Sequence, residues 1–83
     1  MVTVKQFYTI FVIILYMKDF AERLKELRLE MGLSYRGLAK LTGISSTAIE
    51  HWEKAERVPN GEAIVTLAKF FSVTSDYLLG LTD

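Results

Sequence analysis

From Phe20 onward, apolar residues recur at intervals of three and four. Phe20, Leu24, Leu27 and Met31 fall on one helical face, and Gly32 comes next as a stop, so a first helix is expected from an Asp19 N-cap to about Met31. The spacing restarts at Ser34, which caps a second helix that carries Leu38, Ala39 and Leu41 inward and ends at Thr42-Gly43. A third helix starts at a Ser45 N-cap, runs to about Lys54 and turns Ile49 and Trp52 toward the core. Arg57-Val58-Pro59-Asn60-Gly61 is a loop, because the residue before Pro is pushed out of helix and Asn60 suits the N-cap of the next one. A fourth helix, roughly Gly61 to Phe71, buries Ile64, Leu67, Ala68 and Phe71. Thr74 then caps a short last helix through Leu79, which Gly80 ends. Five helices joined by loops of a few residues predict a compact all-α domain over residues 18–83.

Residues 1–17 have no such rhythm. Phe7 to Met17 is almost unbroken apolar sequence behind Lys5-Gln6. As a membrane helix, Val2 to Met17 would span only about 24 Å against a hydrocarbon core of ~30 Å. As a signal peptide it lacks a small-residue cleavage site, because Lys18-Asp19-Phe20 comes directly after it. Its Val, Ile, Thr, Phe and Tyr content suits a β-strand buried on both faces, so an apolar N-terminal arm, a strand paired with a second copy of itself, is the leading expectation. A helix packed on the bundle, a membrane or targeting segment and an upstream extension of a domain that begins at Met17 are the alternatives. The composition changes at Met17/Lys18, the one candidate boundary.

Charge changes this picture only locally. Ten Lys plus Arg balance ten Asp plus Glu, so the bulk charge gives no electrostatic sign of a nucleic-acid partner. Residues 18–40, however, hold six basic against four acidic side chains, and residues 41–83 hold three against six. There is no Cys and one His, His51, which removes disulfides, thiolate metal sites and His-pair metal sites and fits a reducing cytoplasm. With no glycine-rich phosphate loop and no convincing carboxylate pair, no enzymatic reaction, cofactor or small-molecule ligand is expected.

The second and third helices, Leu33 to Glu53, make a helix-turn-helix signature. With Ile49 and Trp52 inward, the opposite face of the third helix carries Thr47, Glu50, His51 and Lys54, with Ser46 beside it at the helix start. In a major groove this is the reading face, and Ser45 with the first-turn amides suits a phosphate oxygen. Ser46, Thr47, Glu50 and His51 are therefore the candidate base-reading residues. Arg36, Lys40, Lys54 and Arg57 form a local basic rim suited to the DNA backbone. Trp52 is expected in the core. Glu53 is expected to partner Arg57 or an arginine of the first helix and not DNA.

With those residues in place, the chain resembles the lambda-repressor-like helix-turn-helix proteins, also called the Xre family, over residues 20–81. The likeness rests on Arg23-Leu24-Lys25-Glu26-Leu27-Arg28, Leu33-Ser34, Leu38-Ala39, Gly43-Ile44-Ser45, Ile49, Trp52-Glu53, Arg57-Val58-Pro59, Leu67-Ala68, Val73 and Asp76-Tyr77-Leu78-Leu79-Gly80. It implies a five-helix lambda-repressor-like fold and sequence-specific binding of double-stranded DNA. It further implies a homodimer on a near-palindromic operator and a role in transcription control. Five departures stand out. Tyr35 replaces a Gln that the family uses on the DNA backbone, and its hydroxyl can still donate to a phosphate. Ser46 and Glu50 replace an Arg, Lys or Gln and a small Ser. Ala55 replaces the Gly after the third helix, and Ser72 the Gly after the fourth, where a left-handed residue is expected. An acidic reading face on a neutral chain also leaves a second expectation, a protein-interaction module with weak DNA binding.

Overall fold

The computed structural model describes the backbone of residues 4–83 and the side chains of residues 15 and 17–83. Five helices run in order: α1 Val4–Glu30, α2 Tyr35–Thr42, α3 Ser46–Glu53, α4 Gly61–Phe71 and α5 Ser75–Leu78. No strand occurs among the described residues. The strand expected over the arm is thus corrected: the backbone is helical from Val4 and passes Met17 and Lys18 without a break. A lone strand leaves its N–H and C=O groups without partners, whereas a helix pairs them within itself, and β-branched composition does not outweigh that difference. The side chains of residues 1–14 and 16, on which the expected pairing with a second copy rests, lie outside the described residues. No helix among the described residues is long and apolar enough to cross a membrane.

Asp19 is accordingly inside α1 and not its cap. It sits against the turn after α5, where an added Cβ on Gly80 would come within 2.6 Å of the Asp19 Cβ. Gly80 is also left-handed, with φ +78°, so both space and backbone conformation call for glycine there. Downstream of Phe20 the helical spacing plays out largely as expected. Phe20, Leu24, Leu38, Ile49, Leu67 and Leu78 are fully buried, and one residue from each helix after α1 joins the two from α1 in a single core. Phe20 meets Trp52 edge to face at 6.2 Å, a favoured aromatic geometry. Met31 and Leu41 depart from expectation, at 52% and 58% exposure. Met31 lies in the turn beyond the helix end. Leu41 lies about 110° from the centre of the inward arc of α2, which Tyr35, Leu38, Ala39 and Thr42 define.

The four N-caps after α1 share one geometry. Ser34, Ser45, Asn60 and Thr74 each accept a hydrogen bond from the backbone N–H three residues on, at 2.8–3.1 Å. This satisfies one of the amides that every helix start leaves unpaired. The turn between α2 and α3 is fixed by left-handed Gly43, whose N–H donates to Ala39 O at 2.8 Å, and by the Thr42 hydroxyl, which donates to Leu38 O at 2.8 Å. Ala55 and Ser72 are both left-handed, with φ near +57° and +56°.

Candidate nucleic-acid interface

The orientation of α3 is set from behind by a buried ion pair. Arg28 donates through Nε and Nη2 to the two carboxylate oxygens of Glu53, at 2.6 and 2.8 Å, and through Nη1 to Leu33 O at 2.8 Å. Its guanidinium also lies 4.4 Å from the Tyr35 ring centroid. One side chain of α1 therefore holds the end of α3, the loop before α2 and the first residue of α2. The Glu53 side chain is only 2% exposed, so both of its oxygens are occupied by the one planar fork that matches them. The hydrogen bond to Glu53 raises the Arg28 pKa above its ordinary value, against the opposing effect of burial.

With Ile49 and Trp52 buried, the outer face of α3 carries Ser46, Thr47, Glu50, His51 and Lys54, all exposed or half-exposed. Its charged side chains are engaged with one another or with the loop beyond the helix. Lys54 Nζ donates to Glu50 Oε1 at 3.0 Å, and this bond raises the Lys54 pKa above its ordinary value. His51 Nδ1 lies 2.6 Å from Glu56 Oε2. Arg36, Lys40 and Arg57 are exposed and make no ion pair among the described residues. A separate groove of about 250 Å³ lies between the α2–α3 turn and α4, lined by Gly43, Ile44, Trp52 and Ala63 among others. None of the predicted site residues lines it.

The helix-turn-helix family model HTH_3 matches residues 24–78. This chain belongs to that family. The HTH_3 chain is 38% identical over 58 residues to the repressor protein C2 of Salmonella phage P22, covering 70% of this chain and 27% of that protein. It is 43% identical over 61 residues to the HTH-type transcriptional activator BcrR of Enterococcus faecalis, covering 74% of this chain and 30% of that protein. Among solved structures, an HTH_3 family transcriptional regulator from Vibrio cholerae superposes with a TM-score of 0.73 at 25% identity, over 83% of this chain and 39% of that one. The chain thus spans about a third of the length of these relatives.

Within this HTH_3 domain, Ser46, Thr47, Glu50, His51 and Lys54 come together on one face, as the helical spacing predicts. Ser45 is committed to capping α3 through the Ala48 N–H. Tyr35 is half-buried beneath Arg28. Glu53 takes an arginine of the first helix, Arg28, as its partner and not Arg57. Two arginines of α1 point inward, and of these the sequence pointed only to an unspecified first-helix partner for Glu53. Arg28 is one. Arg23 is the other: its Nη1 donates to Tyr77 O at 2.7 Å and to Thr82 O, and its guanidinium lies 4.3 Å from the Tyr77 ring centroid. The signal was present, because Arg28 stands four residues after Leu24 and Arg23 four residues before Leu27, the same intervals that define the core stripe.

Proposed function

We propose that this HTH_3 protein is a sequence-specific DNA-binding regulator of transcription, not an enzyme, and that it works in the cytoplasm as a homodimer. The observation that carries this reading is the polar outer face of α3, held outward by the Ser45 cap and by the Arg28–Glu53 pair behind it. Ser46, Thr47, Glu50 and His51 read base edges, and Tyr35, Arg36, Lys40, Ser45 and Arg57 hold the phosphates. Two copies of α3 occupy successive major grooves about 34–36 Å apart, with residues 1–17 as the contact between copies. The names of its relatives support the regulatory role: one is a repressor and one an activator, so the shared fold alone does not set the direction of control.

The test is a titration of the full chain against random duplex DNA at low salt, then selection of bound sequences from the pool. Binding that weakens steeply with salt, together with enrichment of a two-fold related site, is the expected result. Absence of any binding to random duplex would replace this reading with the second one, an interaction module. The balanced charge of the whole chain, ten basic against ten acidic residues, favours that alternative.

A further inference from the structure

The charged pair on the outer face of α3 carries chemistry of its own. Glu50 and Lys54 stand one helical turn apart with side chains 44% and 53% exposed, and Lys54 engages only Oε1 of the carboxylate. Oε2 accepts no hydrogen bond among the described residues. A bare carboxylate entering a groove is repelled by the phosphates on either side. A carboxylate that brings its own ammonium along is not, and it keeps its second oxygen available as an acceptor. In the major groove only cytosine N4 and adenine N6 offer donors, and the adenine donor sits beside the N7 acceptor, which opposes the second carboxylate oxygen. A carboxylate therefore selects cytosine.

Resting on the DNA-reading function proposed above, we infer that Glu50 is the residue that specifies one C·G pair in each half-site, accepting from cytosine N4, with Lys54 as its positioning residue. Lys54 is thereby removed from the phosphate rim on which the basic composition first placed it. Arg36, Lys40 and Arg57 remain there. Ser46 and Thr47, one turn nearer the helix start, read the neighbouring pairs.

Selection from a random duplex pool, run in parallel with the wild-type chain, Glu50→Gln and Lys54→Met, tests this. Glutamine pairs bidentately with adenine N6 and N7. Glu50→Gln is therefore expected to change one position of each half-site from cytosine to adenine and leave the others as they were. Lys54→Met is expected to lower discrimination for cytosine at that same position by about tenfold and to leave the salt slope nearly unchanged. An unaltered site with Glu50→Gln overturns the assignment while leaving the DNA-reading function in place. So does a Lys54→Met chain whose salt slope falls by about 0.9 with its cytosine preference intact, the mark of a phosphate contact. A wild-type pool in which no sequence is enriched overturns the DNA-reading function itself.

Discussion

Arg28 does more for the architecture than any other charged residue, because its three hydrogen bonds and its aromatic contact converge on α2 and α3 from α1. Removing its partner leaves a buried cation without compensation, so Glu53→Ala is expected to destabilise the domain by about 3 kcal/mol or more, measured by urea denaturation. Replacing both members by apolar residues, Arg28→Met with Glu53→Leu, should recover a large part of that loss, since the desolvation of the pair nearly offsets its attraction. Midway along α1, Gly80→Ala meets both a disfavoured left-handed backbone angle and the Asp19 side chain. A loss above about 1 kcal/mol is expected, visible as a lower denaturation midpoint. On the rim, Lys40→Ala should weaken binding to every duplex alike and flatten the salt slope by roughly one unit. Thr47→Ala should change which duplex is preferred. Uniform losses from both would dissolve the distinction between rim and reading face.

At the scale of elements, the starts of helices α2 to α5 were legible because each is announced by a residue whose side chain can do one thing there, accept from the amide three residues on. The ends were nearly as clear, and the left-handed turns at Ala55 and Ser72 occur where the resemblance placed glycine. Each carries a Cβ in a conformation that disfavours one. Ala55→Gly and Ser72→Gly should therefore each stabilise the domain by about 0.5–1 kcal/mol, as a raised urea midpoint with unchanged slope. The start of α1 was misread for a related reason. Asp19 carries a capping side chain, but a cap acts only where a helix begins, and here the helix is already running. A short apolar run has no periodicity with which to announce itself as helix or strand. The reading face of α3 could be drawn from helical spacing, but the Glu50–Lys54 and His51–Glu56 pairs depend on rotamers that spacing does not fix.

For the molecule as a whole, the fold fixes where the outer face of α3 lies, while its reading role and the assembly that presents two such faces belong to the proposed function. If residues 1–17 make that contact, sedimentation of the full chain should give a dimer and a chain starting at Met17 should give a monomer. A dimer in both would move the interface to the helical domain. The self-paired charges on α3 also bear on how such a protein would search a genome. Affinity for DNA of any sequence comes almost wholly from cations that displace counterions from phosphates, and in the proposed interface those cations are Arg36, Lys40 and Arg57. Encounters with irrelevant sequence would then be brief. Against roughly 10⁶–10⁹ competing sites, a regulator of modest operator affinity still finds its operator when the background holds it this weakly.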